Sequence, residues 1–126
     1  MKRDDKDGID ERSFRFHCDV LKFLDAVPVR ANTKRLIEQL SDSSGSIGGN
    51  RDEALGGTSR REFIRYNEIS LRGANESVRW LRVCLARRLG QRDECLRLLD
   101  EARQEAKILA KIVITSKKRS DAEPRT

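Results

Sequence analysis

Residues 41–57, SDSSGSIGGNRDEALGG, decide whether this chain folds as a continuous set of helices or contains a long linker. The stretch contains five glycines, and those in its middle, at positions 45, 48 and 49, would each cost about 1 kcal/mol in a helix. However, the helical spacing of Leu36 and Leu40 continues past the glycines, through Ser43, Ile47, Asn50 and Ala54. Composition therefore favours a linker, whereas periodicity favours a helix with a surface of small residues.

The glycines do not match a known phosphate-binding loop. The loop of P-loop nucleotide-binding proteins needs a Gly-Lys pair, which occurs nowhere in the sequence, and these glycines lack the G-x-G-x-x-G spacing of a dinucleotide site. No nucleotide site and no cofactor are therefore expected.

The sequence on either side of this stretch predicts an all-α protein. Apolar residues recur at intervals of three and four, and no segment alternates with the period of two that is typical of a strand. Ser59 and Glu62 have the spacing of a capping box, and Gly90 provides a C-terminal stop. The predicted helices cover 13–26, about 32 into the glycine stretch, 59–90 and 92–115.

Short connections between these helices predict an antiparallel up-and-down four-helix bundle over residues 13–116. A chain of 126 residues has room for one core of this kind. The flanking segments, 1–12 and 117–126, are rich in charge and poor in core-forming residues, and are therefore predicted to be disordered tails.

Positive charge is concentrated in the third predicted helix. From Arg60 to Arg92 there are nine arginines and three acidic residues, which account for the whole net charge of +6. Arginine suits phosphate recognition, so this helix is predicted to bind nucleic acid by contacting the phosphate backbone. A charged face that is merely solvated is the alternative interpretation. The candidate residues are Arg61, Arg65, Arg72, Arg79, Arg82, Arg87 and Arg88.

The same helix carries a second apolar set on another side, formed by Ile69, Gly73, Trp80 and Val83. A single broad face toward the core would explain this set. The more specific interpretation is an interface with another subunit, in which Trp80 is the anchor because tryptophan is enriched at positions that dominate binding energy.

Residues for catalysis or metal binding are scarce. The single histidine, His17, follows Arg12 at the Arg-x4-His spacing found in some helical ribonucleases, but a histidine in the core or in an interface is the preferred interpretation. Cys18, Cys84 and Cys95 have no metal-ligand spacing and are predicted to be buried free thiols in a reducing compartment. We therefore expect a cytoplasmic protein that is not an enzyme and binds no metal.

From residue 30 to about 115 the chain resembles the four-helix bundle proteins encoded in intervening sequences of 23S ribosomal RNA genes. The resemblance rests on SGSIGGNRDEA (44–54), SRREFI (59–64), LRGANE (71–76) and the Trp80-Leu81 pair. Gly49, Arg51 and Leu55 depart from the family pattern. The resemblance implies that the second helix continues through the glycines to a break at Gly56-Gly57. Asn50 and Glu53 would then lie near the bundle interior.

The resemblance also implies a homopentamer without cofactor or established catalytic residues. Similar bundles are accessory proteins of diversity-generating retroelements, in which a basic pentamer binds nucleic acid and a reverse transcriptase. The predicted function is therefore a nucleic-acid-binding accessory protein. A structural or protein-interaction module without nucleic-acid binding is the first alternative, and a ribonuclease using Arg12 and His17 is the second.

Overall fold

The computed structural model describes residues 8–57 and 59–122. Within these residues the chain forms four helices and no strands. Helix α1 spans Ile9–Leu24, α2 spans Lys34–Gly56, α3 spans Arg60–Arg87 and α4 spans Arg92–Ala122. None of these helices is long and apolar enough to cross a membrane.

Helix α2 runs without a break through the glycines, as the periodicity and the resemblance predict. At two of the three glycines a side chain of α1 approaches the helix closely: a β-carbon would lie 2.9 Å from Cε1 of His17 on Gly45 and 3.2 Å from Oγ of Ser13 on Gly48, whereas on Gly49 it would meet nothing within 4 Å. Ser43, Ile47 and Ala54 are buried on the predicted stripe. Packing therefore outweighs the unfavourable helix propensity of the stretch.

The prediction for the polar residues of α2 is wrong by one position. Asn50 is half-buried and its amide donates to the Ser46 carbonyl of its own helix at 2.9 Å, and Glu53 is exposed. The buried charged residue of α2 is instead Arg51, which is 7% exposed. A long guanidinium can reach partners on two other helices, which the shorter Asn50 side chain cannot.

Arg51 connects α1, α2 and α3. Its Nε donates to a carboxylate oxygen of Asp10 at 3.0 Å, and its Nη1 donates to Oδ1 of Asn67 at 2.8 Å. Asn67 in turn donates to the Phe63 carbonyl at 2.8 Å. The charge is thus compensated in a region where an unpaired guanidinium would be costly.

Contacts between neighbouring helices run in opposite sequence directions. Along α2 and α3, Ser43 Oγ lies 2.9 Å from Ser77 Oγ, and Ser70 Oγ donates to the Ile47 carbonyl at 2.7 Å. Helix α1 lies on α2 and α4 and inserts buried apolar residues into the core. Burying such side chains contributes about 1.5–3 kcal/mol each. The buried apolar residues of α1 are Ile9, Phe16, Val20, Phe23 and Leu24.

Both terminal helices are longer than predicted. Helix α1 begins at Ile9 rather than Ser13, because Ile9 is buried and the adjacent Asp10 pairs with Arg51. Helix α4 continues to Ala122, and Lys117 forms an ion pair with Glu68 of α3 at 2.7 Å. Residues 9–12 and 117–122 are therefore helical rather than disordered tails, while 1–7 and 123–126 lie outside the described residues.

The predicted start of α3 is correct, but its predicted end lies too far along the sequence. Ser59 accepts a hydrogen bond from the Glu62 amide at 3.1 Å, which confirms the predicted cap. The helix stops at Arg87, because Arg88 adopts the left-handed conformation with φ of 57°. Gly90, at φ of 72°, belongs to the following turn and packs against the Phe23 ring.

One carboxyl group in the core lacks a partner. Glu105 of α4 is fully buried, and neither of its oxygens accepts a hydrogen bond within the described residues. Burial, reinforced by the neighbouring Glu101, raises the pKa of Glu105 to about 10. Glu105 is therefore protonated and neutral at pH 7.

Candidate nucleic-acid interface

Four of the predicted arginines form one stripe on α3, here called the arginine stripe: Arg61, Arg65, Arg72 and Arg79. Because successive residues of a helix are rotated by about 100°, these positions fall within a narrow sector directly opposite the buried residues Ala74, Ser77 and Leu81. All four arginines are exposed. Arg79 lies 18 positions after Arg61, which is a rise of about 27 Å along the helix.

The arginine stripe carries uncompensated charge. Within residues 8–57 and 59–122, none of its four guanidinium groups has a hydrogen bond or an ion pair. Two acidic residues, Glu68 and Glu76, lie on the same face, but Glu68 is neutralised by Lys117 at 2.7 Å. This role of Lys117 was not predicted, because residues 117–126 were predicted to be a disordered tail.

Between Arg72 and Arg79 the surface forms a shallow hollow of about 420 Å³ whose floor includes Leu71. Its remaining lining residues are polar or acidic: Glu68, Asn75 and Glu76. The hollow is open to solvent, so an extended polyanion could lie across it while contacting the flanking arginines.

The other three predicted arginines are exposed but lie off the stripe. Arg82 lies about 60° from Arg79 around the axis of α3, on the side toward α4. Arg87 is the last residue of α3, and Arg88 lies beyond the helix in the left-handed conformation. The structure thus brings together four of the seven candidates and places Arg88 in a different surface.

The predicted oligomer interface is only partly available. Ile69, Trp80 and Val83 are half-buried, and the last two pack against the core of their own chain. The prediction for Gly73 is wrong, since it is buried between α2 and α3. A β-carbon on Gly73 would lie 2.9 Å from the Ser43 carbonyl oxygen, so this glycine permits the close approach of the two helices.

The ribonuclease pair is separated in the fold. Arg12 faces α4, where its Nη2 lies 2.8 Å from a carboxylate oxygen of Glu101. His17 is half-buried against Gly45 of α2. The two side chains therefore point toward different helices, which does not favour their acting on one substrate.

Two of the three cysteines are buried as predicted, and one is not. Cys84 and Cys95 are buried, whereas Cys18 is exposed, because it lies on the outer side of α1. Burial raises the pKa of the Cys84 thiol to about 12, which makes it a poor nucleophile. No cluster of three or more metal-ligating side chains occurs in the part of the chain that the structure covers.

Comparison with solved structures supports the fold. A protein of unknown function from the S23 ribosomal protein family of Bacteroides thetaiotaomicron is similar, with a TM-score of 0.70 and 26% sequence identity. The similarity covers 83% of this chain and 97% of the other. Among curated proteins, none matches.

Comparison with protein families shows to which family the chain belongs. The family described as 23S rRNA-intervening sequence protein matches residues 8–111, which include all of α1, α2 and α3 and most of α4. This match covers well over half of the sequence. The protein therefore belongs to the 23S rRNA-intervening sequence protein family.

Proposed function

We propose that this protein binds nucleic acid through the arginine stripe and performs no catalysis. The observation that carries the proposal is the alignment of four exposed, unpaired arginines over about 27 Å on the outer face of α3. Because the arginines are exposed, each guanidinium can contact a phosphate at the protein surface. Each such contact releases a counterion from the nucleic acid.

Binding of this kind is directed to the phosphate backbone. Proteins that recognise single strands usually stack bases on aromatic side chains, and the two aromatic residues in the middle of α3, Tyr66 and Trp80, are half-buried and lie away from the stripe. The expected binding is therefore insensitive to base sequence and strongly dependent on salt.

The assembly belongs to the same proposal. The opposite directions of the helix contacts support an antiparallel up-and-down bundle, and the family resemblance suggests a cytoplasmic homopentamer. In that assembly Ile69, Trp80 and Val83 would contact a neighbouring subunit. The resemblance further suggests an accessory role with a reverse transcriptase of a diversity-generating retroelement as the protein partner.

The proposal is tested by binding of a labelled duplex of random sequence, followed by fluorescence anisotropy at several salt concentrations. The triple variant Arg65→Glu, Arg72→Glu and Arg79→Glu should abolish binding. The matched control, Arg30→Glu, Arg35→Glu and Arg103→Glu, changes the net charge equally at exposed positions outside the stripe.

The two variants separate three outcomes. Loss of binding in the stripe variant alone supports the proposal. Equal loss in both variants shows that only net charge matters and contradicts a site on α3. Absence of binding by the unaltered protein at low salt favours a protein-interaction module with a solvated arginine face.

A further inference from the structure

A cavity of about 500 Å³ lies at the end of the bundle, where α3 turns into α4. Its size is within the range of small-molecule sites, which is about 300–1,000 Å³. The turn itself is well defined, because the Leu89 amide donates to the Cys84 carbonyl at 2.9 Å. The lining residues are Cys84, Leu85, Arg88, Leu89, Gly90, Arg92 and Cys95.

The inner wall of this cavity is apolar and uncharged. Leu85 and Leu89 are half-buried, and the two cysteines are buried. The Cys95 thiol donates to the Leu81 carbonyl at 3.4 Å, and burial keeps the Cys84 thiol protonated by raising its pKa. Such a wall suits the hydrocarbon part of a ligand and excludes a phosphodiester chain.

The mouth of the cavity carries two cations. Arg88 and Arg92 are exposed, and neither has a hydrogen bond or an ion pair among residues 8–57 and 59–122. Arg92 and Cys95 both line the cavity, and the positive charge of Arg92 opposes the rise that burial causes in the pKa of Cys95.

The backbone of Arg88 positions the other cation. This residue has a φ of 57°, in the left-handed region where glycine is usual and a longer side chain costs about 1 kcal/mol. The conformation directs the chain from the end of α3 into the turn, so that Arg88 and Arg92 flank the same opening.

We propose that this cavity binds a small organic anion with an apolar body, of the class of medium-chain carboxylates. The carboxylate would lie between the guanidinium groups of Arg88 and Arg92, and the hydrocarbon would contact Leu85 and Leu89, behind which the cysteines are buried. The site is independent of the proposed nucleic-acid interface, because no residue of the arginine stripe lines it.

Octanoate is a suitable probe, with octanol and octylamine as uncharged and cationic analogues of the same length. Binding is measured by NMR titration of the full chain, and nuclear Overhauser contacts between the ligand and the methyl groups of Leu85 and Leu89 locate it. Octanoate should bind about tenfold more tightly than octanol, and octylamine should not bind.

The variant Arg88→Gly with Arg92→Gln tests the role of the cations. Glycine adopts the left-handed conformation at no steric cost, so this variant should fold at least as stably as the unaltered protein. It should reduce octanoate affinity to that of octanol and leave octanol binding unchanged. The matched control, Arg82→Gln with Arg87→Gln, removes two exposed arginines that do not line the cavity and should retain octanoate binding.

Three results would overturn the proposal. The first is no detectable octanoate binding at about 10 mM, which is weaker than a specific site of this size should show. The second is equal affinity for octanoate and octanol. The third is a set of ligand contacts that lies elsewhere, for example at the exposed Phe14 ring.

Discussion

The arginines of this bundle fall into two groups that the surrounding helices treat differently. Where α1 meets α4, Arg12 bonds both carboxylate oxygens of Glu101, at 3.0 and 2.8 Å, and Arg97 lies 2.9 Å from Asp19 and 2.7 Å from Glu94. On the outer face of α3, the arginine stripe has no such partners within the described residues. The same residue type is therefore structural in one region and available to a ligand in the other.

The pKa values of the carboxyl groups paired with these arginines reflect this difference. The hydrogen bond from Arg97 lowers the pKa of Glu94. Burial alone would raise the pKa of Glu101, but Arg12, together with the neighbouring Glu105 and the positive charge of Arg15, outweighs it and the net shift is downward. Glu94 and Glu101 are thus held ionised beside their arginines, whereas the stripe presents positive charge to solvent.

The strongest test of the structural group is Arg51, which is buried and joins three helices. Replacing it by methionine keeps most of the side-chain volume but leaves the side-chain oxygen Oδ1 of Asn67 buried without its donor. The expected loss is about 3–4 kcal/mol in the free energy of unfolding, measured by urea denaturation.

A matched control is Arg35→Met, at an exposed position of the same helix, where the expected change is less than about 0.5 kcal/mol. Similar small losses in both variants would contradict a structural role for the Arg51 network. The double variant Arg51→Met with Asn67→Leu should recover part of the stability, because the Asp10 carboxylate that also loses its partner is exposed to water and no buried polar side chain is then left unpaired.

The α1–α4 region also contains the unpartnered Glu105, which gives stability a pH dependence. Its pKa of about 10 lies above the value of an unfolded chain, so the folded state holds a proton that the unfolded state releases between about pH 4.5 and 10. Stability should therefore be highest below this window and fall as pH rises through it, by up to about 1.4 kcal/mol per pH unit.

Glu105→Gln tests this prediction, since glutamine has nearly the same shape and does not titrate. The difference in unfolding free energy between the variant and the unaltered protein should grow from pH 5 to pH 9. Glu53→Gln, at an exposed position of α2, controls for the loss of one carboxyl group. A difference that stays constant with pH would contradict a neutral buried Glu105.

These features differ in how far they could be predicted from sequence. The Ser59 cap depends on residues three positions apart, and the path of α2 through its glycines follows from the period of its stripe and from the family resemblance. Both are local or repeated patterns. The burial of Arg51 rather than Asn50 depends on Asp10 and Asn67, which belong to other helices, and it was missed.

The same reasoning applies to the candidate site. Density and spacing of arginine predicted a basic face on α3, and four positions do align there. Whether an arginine is compensated depends on tertiary partners, such as Lys117 beside Glu68, that lie far apart in sequence. For this reason neither the pairing of Arg12 with Glu101 nor the position of Arg88 beyond the end of α3 was predicted.

The smallest expected effects separate the two groups most directly. Arg12→Gln removes a half-buried bidentate pair and should lower the free energy of unfolding by about 1 kcal/mol, without changing affinity for duplex nucleic acid. Arg72→Gln should change stability by less than about 0.5 kcal/mol, because the side chain is exposed and has no partner to lose among the described residues.

For nucleic-acid binding the order of the two variants should reverse, with the larger effect from Arg72→Gln. If Arg72 contacts one phosphate, its replacement should weaken binding equally for all sequences and reduce the slope of log K against log salt by about 1. Arg12→Gln should leave that slope unchanged. Both quantities come from one salt series by fluorescence anisotropy and one urea titration for each variant. A stability loss in Arg72→Gln, or a change of slope in Arg12→Gln, would show that the two groups of arginines are not functionally distinct.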